Sequence, residues 1–169
     1  MSSRIPLPYT PKVLELFRNP KNVGPMENAD VVASAGSPAC GDVIKLYLKI
    51  TKKNGEDIIE KATFESYGCA TNIATASILT EMIKGKKVRD AWKISWKDIA
   101  NELGGLPPIK YHCSILAVGA LKRAIRMFYE KTKKKPKWLP REMTIEEKQT
   151  IEEEKLIETM YRKFMQFKT

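Results

Sequence analysis

Three cysteines and one histidine are the only thiols and the only imidazole in a chain of 169 residues. Cys40 stands in "PACGDV", Cys69 in "YGCAT" and Cys113 in "LPPIKYHC", where His112 adjoins it. A thiolate is both a nucleophile and a soft-metal ligand. Three thiols and an imidazole make a four-donor set that suits zinc or an iron–sulfur cluster. Asp42, two residues after Cys40, offers an oxygen alternative. There is no C-x-x-C pair, and donors this dispersed make no finger. The spacing alone therefore leaves three readings open: a metal or cluster site, a Cys113–His112 nucleophile pair, and cysteines serving as small buried hydrophobes. The nucleophile pair ranks lower, because neighbours at a helix start seldom point at each other. Cys113 gains thiolate character if it opens a helix, from the exposed N–H groups and from Lys110 nearby.

The elements that would carry these residues are legible in the hydrophobic pattern. In "DVIKLYLKI", Ile44, Leu46, Leu48 and Ile50 alternate with Lys45, Tyr47 and Lys49, which predicts a half-buried strand. Asn54-Gly55 marks a tight turn, and "IIEKATFESYG" follows as a second strand with Ala62 and Phe64 inward. "VVASAG" predicts a third strand. From Cys69 the period turns helical, with Ile73, Ala76 and Ile83 on one face. Ser95 and Asp98 form a capping box, and Pro107-Pro108 bars continuation of that helix. The stretch after His112 is strongly amphipathic: Leu116, Ala117, Ala120, Leu121, Ala124, Ile125 and Phe128 form one stripe. An earlier helix is expected after Thr10-Pro11. Strands first and helices after argue an α+β fold, a small antiparallel sheet of about three strands with helices on one face and a C-terminal helical extension. Each cysteine sits at an element edge, where binding groups concentrate.

The length suits one domain plus an appendage: residues 1–132, then a basic linker and a helix over 133–169. The odd, scattered cysteines fit a reducing compartment, and no apolar run approaches the roughly 18 residues of a membrane span, so the expected location is cytoplasmic. The net charge is +10, much of it in "KTKKKPKWLPR", Lys131 to Arg141. That run reads as a solvated linker or as a patch for an acidic partner. A nucleic-acid role is disfavoured, because only Trp138 interrupts the run where a stacking platform needs several aromatics. In the last helix Thr144 and Glu147 make a second capping box, and Ile157, Met160, Phe164 and Phe167 form a seam. That seam must bury against the domain or against another subunit, which would make a homo-oligomer.

Taken together, "NPKNVG", "PACGDVIKL", "YGCAT", "LTEMIKG" and "GGLPPIKYHCSILA" resemble the IscU/NifU-type iron–sulfur cluster assembly scaffolds over about residues 8 to 131. The resemblance implies a carrier rather than an enzyme. It would accept persulfide sulfur from a cysteine desulfurase, build a [2Fe-2S] cluster with iron and hand it to recipient apoproteins. By position it implies Cys40, Cys69 and Cys113 as ligands, His112 and Asp42 as the exchangeable fourth, and Cys113 as persulfide acceptor. It further implies that a DnaK-type chaperone reads Leu106 to Lys110. Zinc is an alternative occupant, and a zinc-binding sulfur acceptor that activates a desulfurase is the alternative function. That subgroup lacks the histidine and carries an insertion, unlike this chain. Ala70, Thr71 and Asn72 depart from the family's usual residues after "GC", and Val118-Gly119 replace frequent acidic ones.

Overall fold

The structure is a computed structural model that describes residues 9–38 and 41–166. Cys40 lies outside the described residues. Three strands form one antiparallel sheet in sequence order: β1 (Val31–Ser37), β2 (Asp42–Lys53) and β3 (Glu56–Tyr67). Asn54 and Gly55 join β2 to β3 at positive φ, 51° and 78°, the conformation a two-residue hairpin requires. The alternation places Ile44, Leu46, Leu48 and Ile50 in the core beside Ala33, Ala35, Ala62 and Phe64. Tyr47 departs from the expected pattern. It points to the other face yet is buried, its ring beneath the Lys45 ammonium and its hydroxyl donating to Glu65 on β3.

The helices are α1 (Pro11–Arg18), α2 (Ala70–Ile83), α3 (Val88–Ala91), α4 (Trp96–Glu102), α5 (Tyr111–Lys131) and α6 (Ile145–Gln166). Thr10 caps α1, and its hydroxyl also donates to the Leu103 carbonyl. The capping box of Ser95 and Asp98 starts α4. Helix α2 is central, packed by α1, α4, α5, β2 and β3, and it is buried well beyond the single stripe its sequence suggests. Helix α5 lies across β1 and β2 with its predicted stripe buried.

Both sheet edges are covered by short contacts. Along β3, Phe64 exchanges backbone hydrogen bonds with Asn22 and Gly24, and Ile59 does so with Gly85 and Lys86. Along β1, the Ser34 carbonyl accepts from Arg123, which also pairs with Glu154 of α6.

The basic run after α5 lies on the domain. Trp138 packs its ring 5.5 Å from Tyr129 and 6.2 Å from Trp92, between centroids. Arg126 of α5 donates to the carbonyls of Pro140 and Glu142 and makes a two-pronged pair with Glu147, which is only 1% exposed. Glu147 also closes the predicted capping box with Thr144. The close approach of α6 to α5 rests on Gly119, where a methyl would overlap Thr150 Oγ1. Of the C-terminal seam, Ile157 reaches Gly36 of β1, Met160 and Phe164 are exposed, and Phe167 lies outside the described residues.

Candidate metal centre

The hairpin explains why residues far apart in sequence meet. Antiparallel pairing sets Val43 opposite Tyr67, so the start of β2 and the end of β3 share one end of the sheet. Asp42 therefore lies beside Gly68 and Cys69, the residue that opens α2. Pro107 and a 3₁₀ turn over Pro108–Lys110 lead directly into α5, and α5 packs against α2. His112 and Cys113, in the first turn of α5, reach the same rim.

The separations are short and uniform. Cys69 Sγ lies 3.8 Å from Cys113 Sγ and 3.5 Å from Asp42 Oδ2. Cys113 Sγ lies 3.8 Å from Asp42 Oδ2 and 3.5 Å from His112 Nε2, and that Nε2 is 3.6 Å from Asp42 Oδ2. The adjacent His112 and Cys113 thus do approach each other, contrary to the expectation for neighbours at a helix start. The cause is the Ile109 carbonyl, 3.0 Å from His112 Nδ1. With Nδ1–H donating there, the ring is fixed and Nε2 is left with its lone pair toward the thiols.

Asp42 is anchored in the same way. Its Oδ1 accepts the Cys69 backbone N–H at 2.9 Å, which leaves Oδ2 toward the sulfurs. Gly68 makes this possible, because a side-chain carbon there would overlap Oδ1. Asn72, absent from the expected set of ligands, is fully buried and supports the corner. Its amide donates to Ser66 Oγ at 2.8 Å and to the Val43 carbonyl at 3.3 Å. The signal in the sequence was a carboxamide in the first two turns of a helix that are otherwise built from small and apolar residues.

The thiolate falls on a different cysteine from the one expected. The Cys113 thiol hydrogen-bonds to Cys69 and, with the Asn72 backbone N–H and Lys110, brings Cys69 down to about 6 against opposing burial and Asp42 repulsion. Cys113 is pushed well above the ordinary thiol range by that same bond and by burial, since its side chain has no exposed surface. Its place at a helix start is real, but burial outweighs the helix field there. Burial works against the charge on Lys110, yet Cys69, Tyr9 and Cys113 raise its pKa overall.

The donor chemistry fits a cation. A thiolate and a carboxylate lie 3.5 Å apart with repulsion between them, and a positive ion among them relieves it. A tetrahedral ion with bonds of about 2.0–2.3 Å spaces its donors about 3.3–3.8 Å apart. The separations of 3.5–3.8 Å above match that spacing. Asp42, His112 and Cys113 are thus placed to hold one ion as they stand, with Cys69 Sγ beside them, close to Cys113 and Asp42. Cys40, the remaining predicted donor, lies outside the described residues.

Known proteins resemble this chain over most of its length. The family model described as "NifU-like N terminal domain" matches residues 8–135. The chain is 47% identical over 126 residues to the iron–sulfur cluster assembly scaffold protein IscU 1 of Archaeoglobus fulgidus, covering 75% of this chain and 80% of that one. It is also 47% identical over 130 residues to IscU of Escherichia coli (strain K12), 75% of this chain and 98% of the other. A crystal structure of the N-terminal part of a NifU-like protein from Brucella abortus shares the fold at a TM-score of 0.55 and 21% identity, over 72% of this chain and 94% of that one. With that match running through every described element up to α5, the chain belongs to the NifU-like N-terminal domain family, among its IscU scaffold relatives.

Proposed function

We propose that this protein is an iron–sulfur cluster assembly scaffold that builds a [2Fe-2S] cluster and passes it to recipient apoproteins. The observation that carries this is the convergence of Cys69, Cys113, Asp42 and His112 at one rim, donors that span 71 residues of sequence. The cluster is cargo, so the donor set should hold it without holding it permanently. Two thiols with an imidazole and a carboxylate meet that requirement better than four thiolates, and Cys40 would supply the third sulfur. Cys113 is the proposed persulfide acceptor, by its match to the family position. Its burial means that the Cys69–Cys113 contact must open before a desulfurase can reach it. Ile109, 80% exposed within Leu106 to Lys110, is the side chain a chaperone of the DnaK type would grasp. No helix among the described residues is long and apolar enough to cross a membrane, consistent with a proposed role in the cytoplasm.

The test is anaerobic reconstitution with ferrous iron, cysteine, a cysteine desulfurase and dithiothreitol, which reduces the transferred sulfane sulfur to sulfide, followed by iron and acid-labile sulfide analysis. The expected product carries iron and sulfide in equal amounts and delivers both to an apo-ferredoxin. Serine at Cys40, Cys69 or Cys113 should impair it, and Asp42→Ala should lengthen the life of the cluster. Tightly bound zinc with desulfurase activation and no delivery would assign the chain to the zinc-binding sulfur acceptors instead.

A further inference from the structure

The positive charge that the metal centre does not use is concentrated at the far end of α5. Lys131 to Arg141 hold six basic side chains and no acidic one. A free tether would relieve that repulsion by extending into solvent. This segment is held in place instead. The chain turns back at Lys133, whose φ of 55° is one that glycine or asparagine usually supplies at a helix end. The Lys134 N–H donates to the Tyr129 carbonyl, Trp138 packs on Tyr129 and Trp92, and Arg126 donates to the Pro140 carbonyl. Like charges are therefore fixed close together, which costs stability unless something negative sits among them.

The docked segment and the last turns of α5 border a cleft of about 790 Å³. Lys134, Lys135, Lys137 and Arg141 line it, and none of the four has an ion pair among the described residues. Glu130 is its one acidic lining residue. Arg126 lines it too, but is committed to Glu147 and to two carbonyls. Pro136, Leu139 and Pro140 supply an apolar wall. Clefts that bind ligands span roughly 300–1,000 Å³, so this one is large enough to seat a side chain and the backbone beside it.

We propose that this cleft docks an acidic segment of a partner protein, with an apolar side chain of that segment seated against Leu139 and the two prolines. Lysine ammoniums on long stems spread positive charge over a wide surface, which suits a row of carboxylates. A phosphate ligand is the poorer occupant. The Arg126 guanidinium, the fork that would grip phosphate, is already taken by Glu147, and the prolines have no N–H to add to an amide cradle. A nucleic acid finds no ring face to stack on, because Tyr129 is 3% exposed and Trp138 packs against Tyr129 and Trp92. Helix α5 carries Cys113 near one end and Tyr129 near the other, roughly 24 Å apart at 1.5 Å per residue. A partner held at the cleft therefore leaves the metal centre open. The cleft is a point of attachment, separate from the place where sulfur and metal are handled.

The test is fluorescence anisotropy of a labelled peptide, a row of glutamates around a central pair of leucines, titrated with the full chain. Binding should be micromolar at low salt and should weaken about tenfold by physiological ionic strength, where screening sets in within about 8 Å. Lys134→Glu with Lys135→Glu and Lys137→Glu should weaken it at least about tenfold with an unchanged thermal melt, all three side chains being exposed. Lys12→Glu with Arg18→Glu and Lys21→Glu, on and just after α1, alters the net charge equally and should weaken it less than about threefold. A peptide with serine for leucine should bind about fivefold more weakly, the effect of half-burying a leucine. The readout involves no metal, so it is independent of cluster assembly. Absence of binding at low salt would overturn the proposal, as would equal weakening by the two triple variants. Equal binding of the serine peptide would refute the apolar seat. ATP or single-stranded RNA that binds more tightly than the peptide, through the same three lysines, would replace the acidic segment with a phosphate ligand.

Discussion

Gly68→Ala should disable the metal centre by displacing one carboxylate. The added methyl would overlap Asp42 Oδ1, and it would stand 2.8 Å from Asp42 Cγ and 3.1 Å from Asn72 Nδ2. Neither neighbour can yield easily. Asp42 is buried and fastened to the Cys69 N–H, and Asn72 is fastened to Ser66. The carboxylate must swing away, which breaks the 2.9 Å bond from Cys69 and carries Oδ2 off its 3.5–3.8 Å spacing from the sulfurs and the imidazole. A hydrogen bond to a charged group is worth about 1.5–3 kcal/mol. Transferred to metal affinity, that is roughly a 10- to 100-fold loss, the range found when a group that orients a ligand is removed. The assay is titration with cobalt(II), read from the thiolate charge-transfer and d–d bands, with zinc competition against a chromophoric chelator. Circular dichroism checks that the variant is folded. In an Asp42→Ala background the methyl has room, so the same glycine change should there cost little. Parent affinity and spectrum in Gly68→Ala, or an equal penalty with and without Asp42, would refute the reasoning.

Residue-resolved alkylation with iodoacetamide should show Cys69 gaining reactivity as pH rises through about 6, while Cys113 stays inert across the range of an ordinary thiol. A Cys69 midpoint near the ordinary thiol value of about 8.5 would contradict the assigned thiolate. The sign for stability follows. Between about 6 and the unfolded value the unfolded chain keeps a proton that folded Cys69 has lost, so this residue's contribution grows with pH and disappears below 6. Arg126→Ala strands the buried Glu147 carboxylate and should cost about 3–5 kcal/mol, seen as a lower urea midpoint at an unchanged slope. Gly119→Ala drives a methyl into Thr150 and should cost about 1–3 kcal/mol, most of it recovered by adding Thr150→Ala.

The elements were legible where one physical signal dominated. The alternation from Ile44 to Ile50 faces one core, and the α5 stripe faces one sheet, so period alone identifies both. The two capping boxes are local and read correctly for the same reason. Helix α2 was less legible, because five elements surround it and burial on many sides erases the period. The candidate donors were readable as a set of residue types. Their convergence was not, since it depends on hairpin register and on where α5 lands. The choice of thiolate could not be read at all, because it turns on the 3.8 Å contact between two sulfurs and on the burial of Cys113. The basic run was read as a tether or a patch, and its docking depends on Trp138 finding Tyr129 and Trp92.

Covered edges have a further consequence. A three-stranded sheet exposes two rows of backbone groups, and a neighbouring chain can add to either by strand pairing. Here Asn22, Gly24, Gly85 and Lys86 occupy the β3 side, and Arg123, braced by Glu154, takes the Ser34 carbonyl on the β1 side. Clipping the chain ahead of Ile145 would remove that brace. The shortened protein should then favour insoluble assemblies over a soluble, slightly weaker fold, which gives the C-terminal helix a duty in keeping molecules apart.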